Sequence, residues 1–214
     1  MFILYFTIYS NFENIIIKSC EHICEIGEED KCFSCDYVRN ICSKCNIGYK
    51  LLNGKCVLNY SIKSIYNTNE KYQKIKLINY QLGKYIIEMI IDGKEYSPTY
   101  EFTFPEIGNH TVYFLIKNDI ETLYNSFHSI RNLIYISFSP IFYTENVLNT
   151  EEMFYWCDSL VSIDISNFNT KNLVTTRNMF YWCISLTSID VSNFNTEKVQ
   201  DMSNMFKDCV SLTF

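Results

Sequence analysis

Cysteine thiols are the side chains of this sequence with the clearest capacity for chemistry, and they are unevenly spaced. Seven of the ten cysteines lie in one N-terminal stretch: Cys20, Cys24, Cys32, Cys35, Cys42, Cys45 and Cys56. The middle four could hold zinc, although paired zinc ligands are usually separated by about 15 to 20 residues. We favour disulfides, because so short a stretch cannot form a large hydrophobic core. Small cysteine-rich modules are usually stabilised by disulfides in an oxidising compartment. Seven is odd, so one thiol either pairs with a partner outside this stretch or stays free, and the connectivity is open.

The other three cysteines, Cys157, Cys183 and Cys209, mark an internal repeat of 26 residues. The sequence MFYWCDSLVSIDISNFNT begins at Met153 and recurs as MFYWCISLTSIDVSNFNT from Met179. A fixed period of this length predicts units that stack and bury one shared core. Stacking would place the three thiols in a column. One interpretation of this column is a ladder of redox-active or metal-binding thiols. The other is that each cysteine is a small, buried, apolar residue of its repeat, and we favour this one.

Each copy predicts one strand and one helix. Leu160, Ile163 and Ile165 follow the L-x-x-L-x-L strand pattern of leucine-rich repeats. Other apolar residues recur at increments of 3, 4 and 3, which predicts one helical face. In the third copy these are Val199, Met202, Phe206 and Cys209, with Thr196 as the N-cap. The sequence therefore predicts an α/β leucine-rich-repeat solenoid over residues 118–214. Its last repeat is incomplete, so we expect a fragment that aggregates or pairs through its open end.

Aromatic residues supply the first candidate binding site. Between its phenylalanine and its cysteine the third copy carries Lys207 and Asp208, which are charged and therefore expected to face water. The equivalent positions of the two earlier copies are Tyr155, Trp156, Tyr181 and Trp182. Stacking predicts an exposed row of four rings, which is typical of an interaction surface. The alternative is that another part of the protein covers these rings.

Acidic residues on the predicted strands supply a second candidate. Asp164 and Asp190 are flanked by serines and point away from the core by two-residue alternation. Such a ladder could attract a basic ligand or Ca²⁺. We favour the alternative, that these positions are polar because they form turns and face solvent.

Three further segments precede the repeats. Residues 18–58 hold the cysteine-rich module, which is predicted to be poor in regular structure. Residues 59–70 are polar and lack periodicity, which favours a linker. Residues 71–117 alternate apolar and polar residues and contain the hairpin signal Asp92-Gly93, so they predict a small antiparallel, β-sandwich-like module.

Several features favour secretion. Residues 1–17 start with the apolar run FILYFTIY, whose length suits a signal peptide although a basic start is missing. Asn59 and Asn109 begin N-x-[ST] triplets in a predicted linker and a predicted turn, so both are candidate N-glycosylation sites. No apolar stretch of the sequence is long enough to predict a transmembrane helix.

Charge and motifs argue against several function classes. The formal net charge of -6 offers no basic field for phosphates, so we do not expect nucleic acid as a partner. The three histidines, His22, His110 and His128, lie neither at metal-ligand spacing nor beside a nucleophile motif. The sequence also lacks G-x-S-x-G, H-E-x-x-H and a phosphate-binding glycine loop. We therefore expect no enzyme, no cofactor and no metal site.

Two motifs resemble known families. The spacing C-x-x-C-x-x-G-Y-x-L-x-x-G-x-C from Cys42 to Cys56 resembles the ending of furin-like and epidermal-growth-factor-like cysteine-rich repeats. The phrase M-F-x-x-C-x-S-L-x-S-I-D-x-S-N-F-N-T resembles the BspA-like leucine-rich repeat of surface proteins, found also in mycoplasma-type lipoproteins and in protists. This resemblance implies a secreted or cell-surface adhesion protein with a protein or glycan ligand on another cell or on matrix. The alternative is a structural surface coat that assembles by repeat stacking.

Overall fold

The computed structural model describes residues 32–36, 41–45, 49–52, 55–58 and 60–213. The chain divides into two compact units, Met1–Asn59 and Tyr60–Phe214. The signal peptide predicted over residues 1–17, the thiols of Cys20 and Cys24, and the glycosylation site at Asn59 lie outside the described residues.

Within its described residues, the first unit contains two antiparallel pairs of strands, which have the register of β-hairpins. Their strands are β1 (Cys32–Asp36), β2 (Ile41–Cys45), β3 (Tyr49–Leu52) and β4 (Lys55–Leu58). Strand β1 pairs antiparallel with β2, and β3 pairs antiparallel with β4. The backbone register of the first hairpin sets Cys32 opposite Cys45 and Cys35 opposite Cys42. The disulfides of this unit stay a prediction.

The second unit contains β5 (Ile62–Thr68), β6 (Gln73–Lys76), β7 (Ile86–Ile91), β8 (Lys94–Tyr96), β9 (Glu101–Phe104), β10 (Gly108–Ile116), β11 (Leu133–Phe138) and β12 (Ser162–Asp164). Six of these strands form one sheet, with the strand order β12-β11-β5-β10-β7-β8. Neighbouring strands of the large sheet are antiparallel except for β11 and β12, which are parallel. Strands β6 and β9 form a separate antiparallel pair.

Strand β5 occupies residues that the sequence favoured as a linker. It lies between β10 and β11, so it is an interior strand of the sheet and the segment 59–70 does not act as a linker there. Alternate residues of β5 are buried, but two of these, Ser64 and Thr68, are polar residues with aliphatic hydroxyl groups. Buried hydroxyls hide the period of two from an analysis that counts only apolar residues, which explains the wrong prediction.

One core joins the β-sheet to the repeats. Phe114 on β10 and Phe138 on β11 belong to the same buried cluster as Phe154 and Phe180 of the repeats. Strand β11 lies beyond residue 118 yet pairs with β5. The sequence therefore placed a boundary between residues 117 and 118 where the structure has a continuous sheet and core.

The prediction of an α/β leucine-rich-repeat solenoid over residues 118–214 is wrong. Among the described residues the structure is mostly strands and turns, and the helix α1 (Tyr80–Gly83) has a single turn. No helix in this part of the chain is long and apolar enough to cross a membrane. The segments predicted as helices contain residues with positive φ four positions apart, such as Glu152 (55°) and Trp156 (59°). A right-handed helix cannot include them, because its residues have φ near −60°.

Two kinds of backbone hydrogen bond alternate along each repeat instead. The N–H of Tyr155 donates to the carbonyl of Glu152, three residues earlier in the same turn (3.2 Å). The N–H of Phe154 donates to the carbonyl of Met179 in the next repeat (2.8 Å). Successive turns closed by three-residue bonds place apolar residues three or four positions apart on their inner side. This is why the spacing resembled a helical face.

Candidate binding surface

The Tyr-Trp pair of each of the two complete copies lies at one corner of its turn. Phe154 before it and Cys157 after it are fully buried, whereas Tyr155 is half-buried and Trp156 is exposed. The N–H of Trp156 donates to the carbonyl of Tyr181 in the next repeat (2.9 Å). Hydrogen bonds between repeats therefore fix the backbone from which these rings project.

Tyrosine rings form a column across the repeats. His128 stacks on Tyr155, and Tyr155 stacks on Tyr181, with ring centroids 4.8 Å apart in each pair. The Nζ atom of Lys207 lies 5.6 Å from the centroid of Tyr181, within the range of a cation–π interaction. The column thus has an imidazole at one end and an ammonium group at the other.

Tryptophan rings form a second, more exposed column. Trp156 and Trp182 are 40% and 42% exposed, and their ring centroids are 6.4 Å apart. The guanidinium of Arg131 lies 5.8 Å from the centroid of Trp156. We call Tyr155, Trp156, Tyr181 and Trp182 the aromatic ridge. The predicted adjacency of the four rings is confirmed, and their binding of a ligand stays a prediction.

The aromatic rings of the tyrosine column are neutral near pH 7. Burial raises the pKa of Tyr155 and of Tyr181 above the usual value for a phenol. Burial lowers the pKa of His128, while the carboxylate of Glu152, 3.5 Å from Nδ1, opposes that change. Because none of the four rings of the ridge is charged at this pH, the ridge offers flat apolar faces with polar edges.

A groove of about 420 Å³ adjoins the ridge through Arg131, which lines the groove and also lies over Trp156. Its polar lining residues, which we call the polar groove, are Asn67, Asn69, Arg131, Asn132, Asp158 and Ser159. Two apolar residues, Ile134 and Val161, complete the lining. Sequence reasoning missed this groove, because its residues come from the end of β5, the start of β11 and the turn after Trp156, far apart in the chain.

Cysteines of the repeats form a column in which Cys157 and Cys183 are buried, whereas Cys209, which was also predicted to be buried, is half-buried. Each thiol donates a hydrogen bond to the carbonyl of a phenylalanine in the preceding repeat: Cys157 to Phe127 (3.0 Å), Cys183 to Phe154 (3.2 Å) and Cys209 to Phe180 (2.9 Å). Burial raises the pKa of Cys157 to about 12 and that of Cys183 well above its usual value. Because the thiolate is the nucleophile and the metal ligand, protonated thiols favour the structural interpretation of this column.

The two aspartates of the second candidate site are used within their own turns. Asp164 accepts a hydrogen bond from the N–H of Ser166, and Asp190 accepts one from the N–H of Ser192, each at 2.9 Å. Hydrogen bonds from Ser192 lower the pKa of Asp190. Within the described residues, no group of three or more histidine, cysteine or acidic side chains could hold a metal ion. This geometry supports a turn-forming role rather than a Ca²⁺ ladder.

Asn109, the second predicted glycosylation site, lies on strand β10 and is exposed. Its Oδ1 atom accepts a hydrogen bond from Nδ2 of Asn67 (2.8 Å). The predicted turn is therefore a strand, and attachment of a glycan there stays a prediction.

The fold also assembles a polar cluster that sequence reasoning missed. Nδ1 of His110 lies 2.7 Å from Oδ2 of Asp92, and Nε2 lies 3.1 Å from Oγ1 of Thr68. The order of groups resembles a catalytic triad. However, Thr68 is only 1% exposed, and its hydroxyl donates to the carbonyl of Glu106 (3.0 Å). Asp92 is exposed, whereas His110 and Thr68 are buried, and the hydrogen bonds of the cluster connect the turn at Asp92 to strand β10.

Comparison with known proteins gives one match. Residues 121–213, less than half of the chain, match the model of a family described as "Mycoplasma protein of unknown function, DUF285". This match fits a mycoplasma-type surface repeat, whereas the leucine-rich-repeat and furin-like or epidermal-growth-factor-like assignments find no support in it. No curated protein and no solved structure matches the chain.

Proposed function

We propose that this chain is a non-enzymatic recognition protein, secreted or displayed at a cell surface, that adheres through the aromatic ridge to a protein or glycan on another cell or on matrix. One observation carries the proposal: four neighbouring rings lie along the repeats, and both indoles remain two-fifths exposed. Large exposed aromatics that adjoin each other are characteristic of interaction sites, where tryptophan and tyrosine dominate the binding energy.

The backbone of the ridge supports this role, because it is held in place before any ligand arrives. Hydrogen bonds from Phe154 and Trp156 to the next repeat fix the first Tyr-Trp pair, and bonds from Phe180 and Trp182 fix the second. Stacking of Tyr155 on Tyr181 restrains the rings themselves. A surface ordered in this way loses little conformational entropy on binding.

The surface location is supported by the match of residues 121–213 to a mycoplasma-type repeat family. An adhesive role for the repeats is our inference from the ridge and from the resemblance to surface repeats. The cysteine-rich unit would then serve as a spacer between the repeats and the site of attachment.

Saturable binding of the fluorescently labelled full chain to decellularised epithelial matrix tests this proposal. The double variant Trp156→Ser/Trp182→Ser removes both exposed indoles, and we expect it to bind at least tenfold more weakly, which corresponds to about 1.4 kcal/mol. Tyr143→Ser is the matched control, because Tyr143 is an exposed aromatic (56%) outside the ridge, and this variant should bind like the wild type.

Two results would contradict the proposal. The first is equal binding by the wild type and the double variant, with circular dichroism showing that both are folded. The second is concentration-dependent assembly of the wild type and the double variant alike without matrix binding, which would favour the structural coat.

A further inference from the structure

We propose that the polar groove and Trp156 together bind a neutral, hydroxyl-rich oligosaccharide. This inference deepens the proposed recognition role and rests on it, since it names the chemical class of the ligand. The groove lies within the size range of small-molecule sites, about 300–1,000 Å³.

The charges of the groove favour a neutral ligand. Its two charged side chains, Arg131 and Asp158, oppose each other with Nε and Oδ2 3.8 Å apart. An anion bound at Arg131 would meet the carboxylate of Asp158, and a cation bound at Asp158 would meet the guanidinium. At 3.8 Å the pair is too long for a hydrogen bond, so both groups keep hydrogen-bonding capacity for a ligand.

The remaining polar groups suit hydroxyls. Three lining residues are asparagines, and an amide side chain both donates and accepts hydrogen bonds, as a sugar hydroxyl does. Asn132 donates to the carbonyl of Asn67 (2.7 Å), which fixes its amide plane while its Oδ1 atom accepts no hydrogen bond from the described residues. Asn69 is exposed beside it. The oriented amides of Asn67 and Asn132, together with Asn69 and Ser159, can therefore bind several hydroxyls at once.

Trp156 supplies the apolar half of the site. One face of a pyranose ring is made of C–H groups, which pack favourably against an indole ring. Arg131 lies over Trp156 and also lines the groove, so a chain of two or three sugars spans both surfaces. Trp182, 6.4 Å from Trp156, provides a second stacking position for a longer chain.

Intrinsic tryptophan fluorescence reports this site directly, because Trp156 and Trp182 are the two tryptophans of the chain. The full chain, produced in a host that adds no N-glycans, is titrated separately with cellohexaose, maltohexaose, chitohexaose and a sulfated heparin hexasaccharide. We expect at least one neutral hexasaccharide to change the fluorescence saturably and to bind more tightly than the sulfated one. Binding that is strongest for heparin, or absent for every neutral probe, would overturn the inference.

Variants locate the binding in the groove. Asp158→Asn and Asn69→Ala should each weaken binding of the neutral hexasaccharide at least fivefold. Asp190→Asn is the control, because Asp190 is an exposed carboxylate outside the groove, and it should leave the dissociation constant unchanged. If Asp158→Asn, Asn69→Ala and Asp190→Asn all bind the neutral hexasaccharide with the affinity of the wild type, the groove is not the site. Unchanged urea midpoints would establish that the variants fold.

Periodate oxidation of the matrix separates this inference from the proposed function. Periodate cleaves vicinal diols, so it should abolish matrix binding if a glycan is the ligand. Suppose that the double tryptophan variant loses matrix binding, whereas the groove variants still bind and periodate treatment of the matrix has no effect. The recognition role then stands and the glycan inference falls. If the chain binds the purified neutral sugars through the groove but binds no matrix, the glycan site stands and the adhesive role falls.

Discussion

Individual residues of the repeats adopt conformations that their side chains do not favour. Glu152, Trp156, Asn178 and Trp182 all have positive φ, between 54° and 60°. Each non-glycine residue in this region costs about 1–2 kcal/mol, although asparagine tolerates it better than tryptophan does. Hydrogen bonds between repeats offset that cost, since the N–H groups of these residues all donate to the next repeat. The exposed indoles are thus attached to backbone that stacking holds in place.

His128 gives the molecule a predicted pH dependence at the residue scale. Burial lowers its pKa below the usual 6.5, against the opposing effect of Glu152. The unfolded chain therefore takes up a proton more readily than the folded chain, so stability is fully present above about pH 6.5 and decreases as the pH falls toward the lowered pKa. In His128→Gln this decrease should be smaller when urea unfolding is compared at pH 7.5 and pH 5.

The matched control is His22→Gln, which removes a histidine from the first unit. It should retain the wild-type decrease in stability between the two pH values. If His128→Gln also retains it, the burial of His128 does not contribute to the stability of the folded protein in the way described.

Phenylalanine side chains connect the repeats at the scale of structural elements. Phe127, Phe154, Phe180 and Phe206 stack with centroids 5.3 to 5.4 Å apart. The phenylalanine stack lies on the buried side of the turns, and the aromatic ridge lies on the solvent-facing side of the same turns. One ladder of backbone hydrogen bonds therefore serves both the core and the candidate binding surface.

The position of a phenylalanine within this stack should decide its contribution to stability. Phe154 is fully buried between two neighbouring rings, so Phe154→Ala leaves a cavity and should lower the free energy of unfolding by about 3–5 kcal/mol. Phe206 is half-buried with one neighbouring ring, so Phe206→Ala should lower it by less than half as much. Urea denaturation measures both, and equal losses would contradict the gradient of burial along the stack.

At the scale of the whole molecule, the β-sheet and the repeats of the second unit form one structure, although their sequences follow different patterns. Strand β11 pairs with β5 on one side and with β12, a strand of the repeats, on the other. The β-sheet therefore covers one end of the stacked repeats. Neither the β-sheet nor the repeats has a complete hydrophobic core without the other.

Truncation tests this interdependence. A fragment of residues 60–214 should retain the cooperative thermal unfolding of the second unit, because this boundary separates the two compact units. A fragment of residues 118–214 should lack it, because removing β5 leaves one side of β11 unpaired and exposes core residues such as Ile136 and Phe138. Circular dichroism on heating distinguishes the two. Cooperative unfolding of the shorter fragment would show that the repeats are an independent domain.

Local periodicity made part of the candidate site predictable. The charged Lys207 and Asp208 of one copy predicted that all four rings of the other two copies face water; Trp156 and Trp182 are exposed, whereas Tyr155 and Tyr181 are half-buried because they stack on each other. The aspartates at 164 and 190 each accept a hydrogen bond from a backbone N–H two residues later, which is compatible with the turn role that the sequence favoured. The polar groove was beyond this reasoning, since Asn67 and Asp158 come together only when β5 joins the sheet.

By itself, the sequence determined the period of 26 residues and the alignment of the four rings, but Val191, which the strand pattern of the second copy places in the core, is exposed. It did so because side chains that recur at one spacing meet equivalent surroundings in stacked repeats. Only the tertiary structure decided between helix and turn, and between linker and strand. Those choices depend on where each backbone N–H finds its acceptor. For Phe154 the acceptor lies in the next repeat, and for Asn67 it is Asn132, 65 positions along the chain.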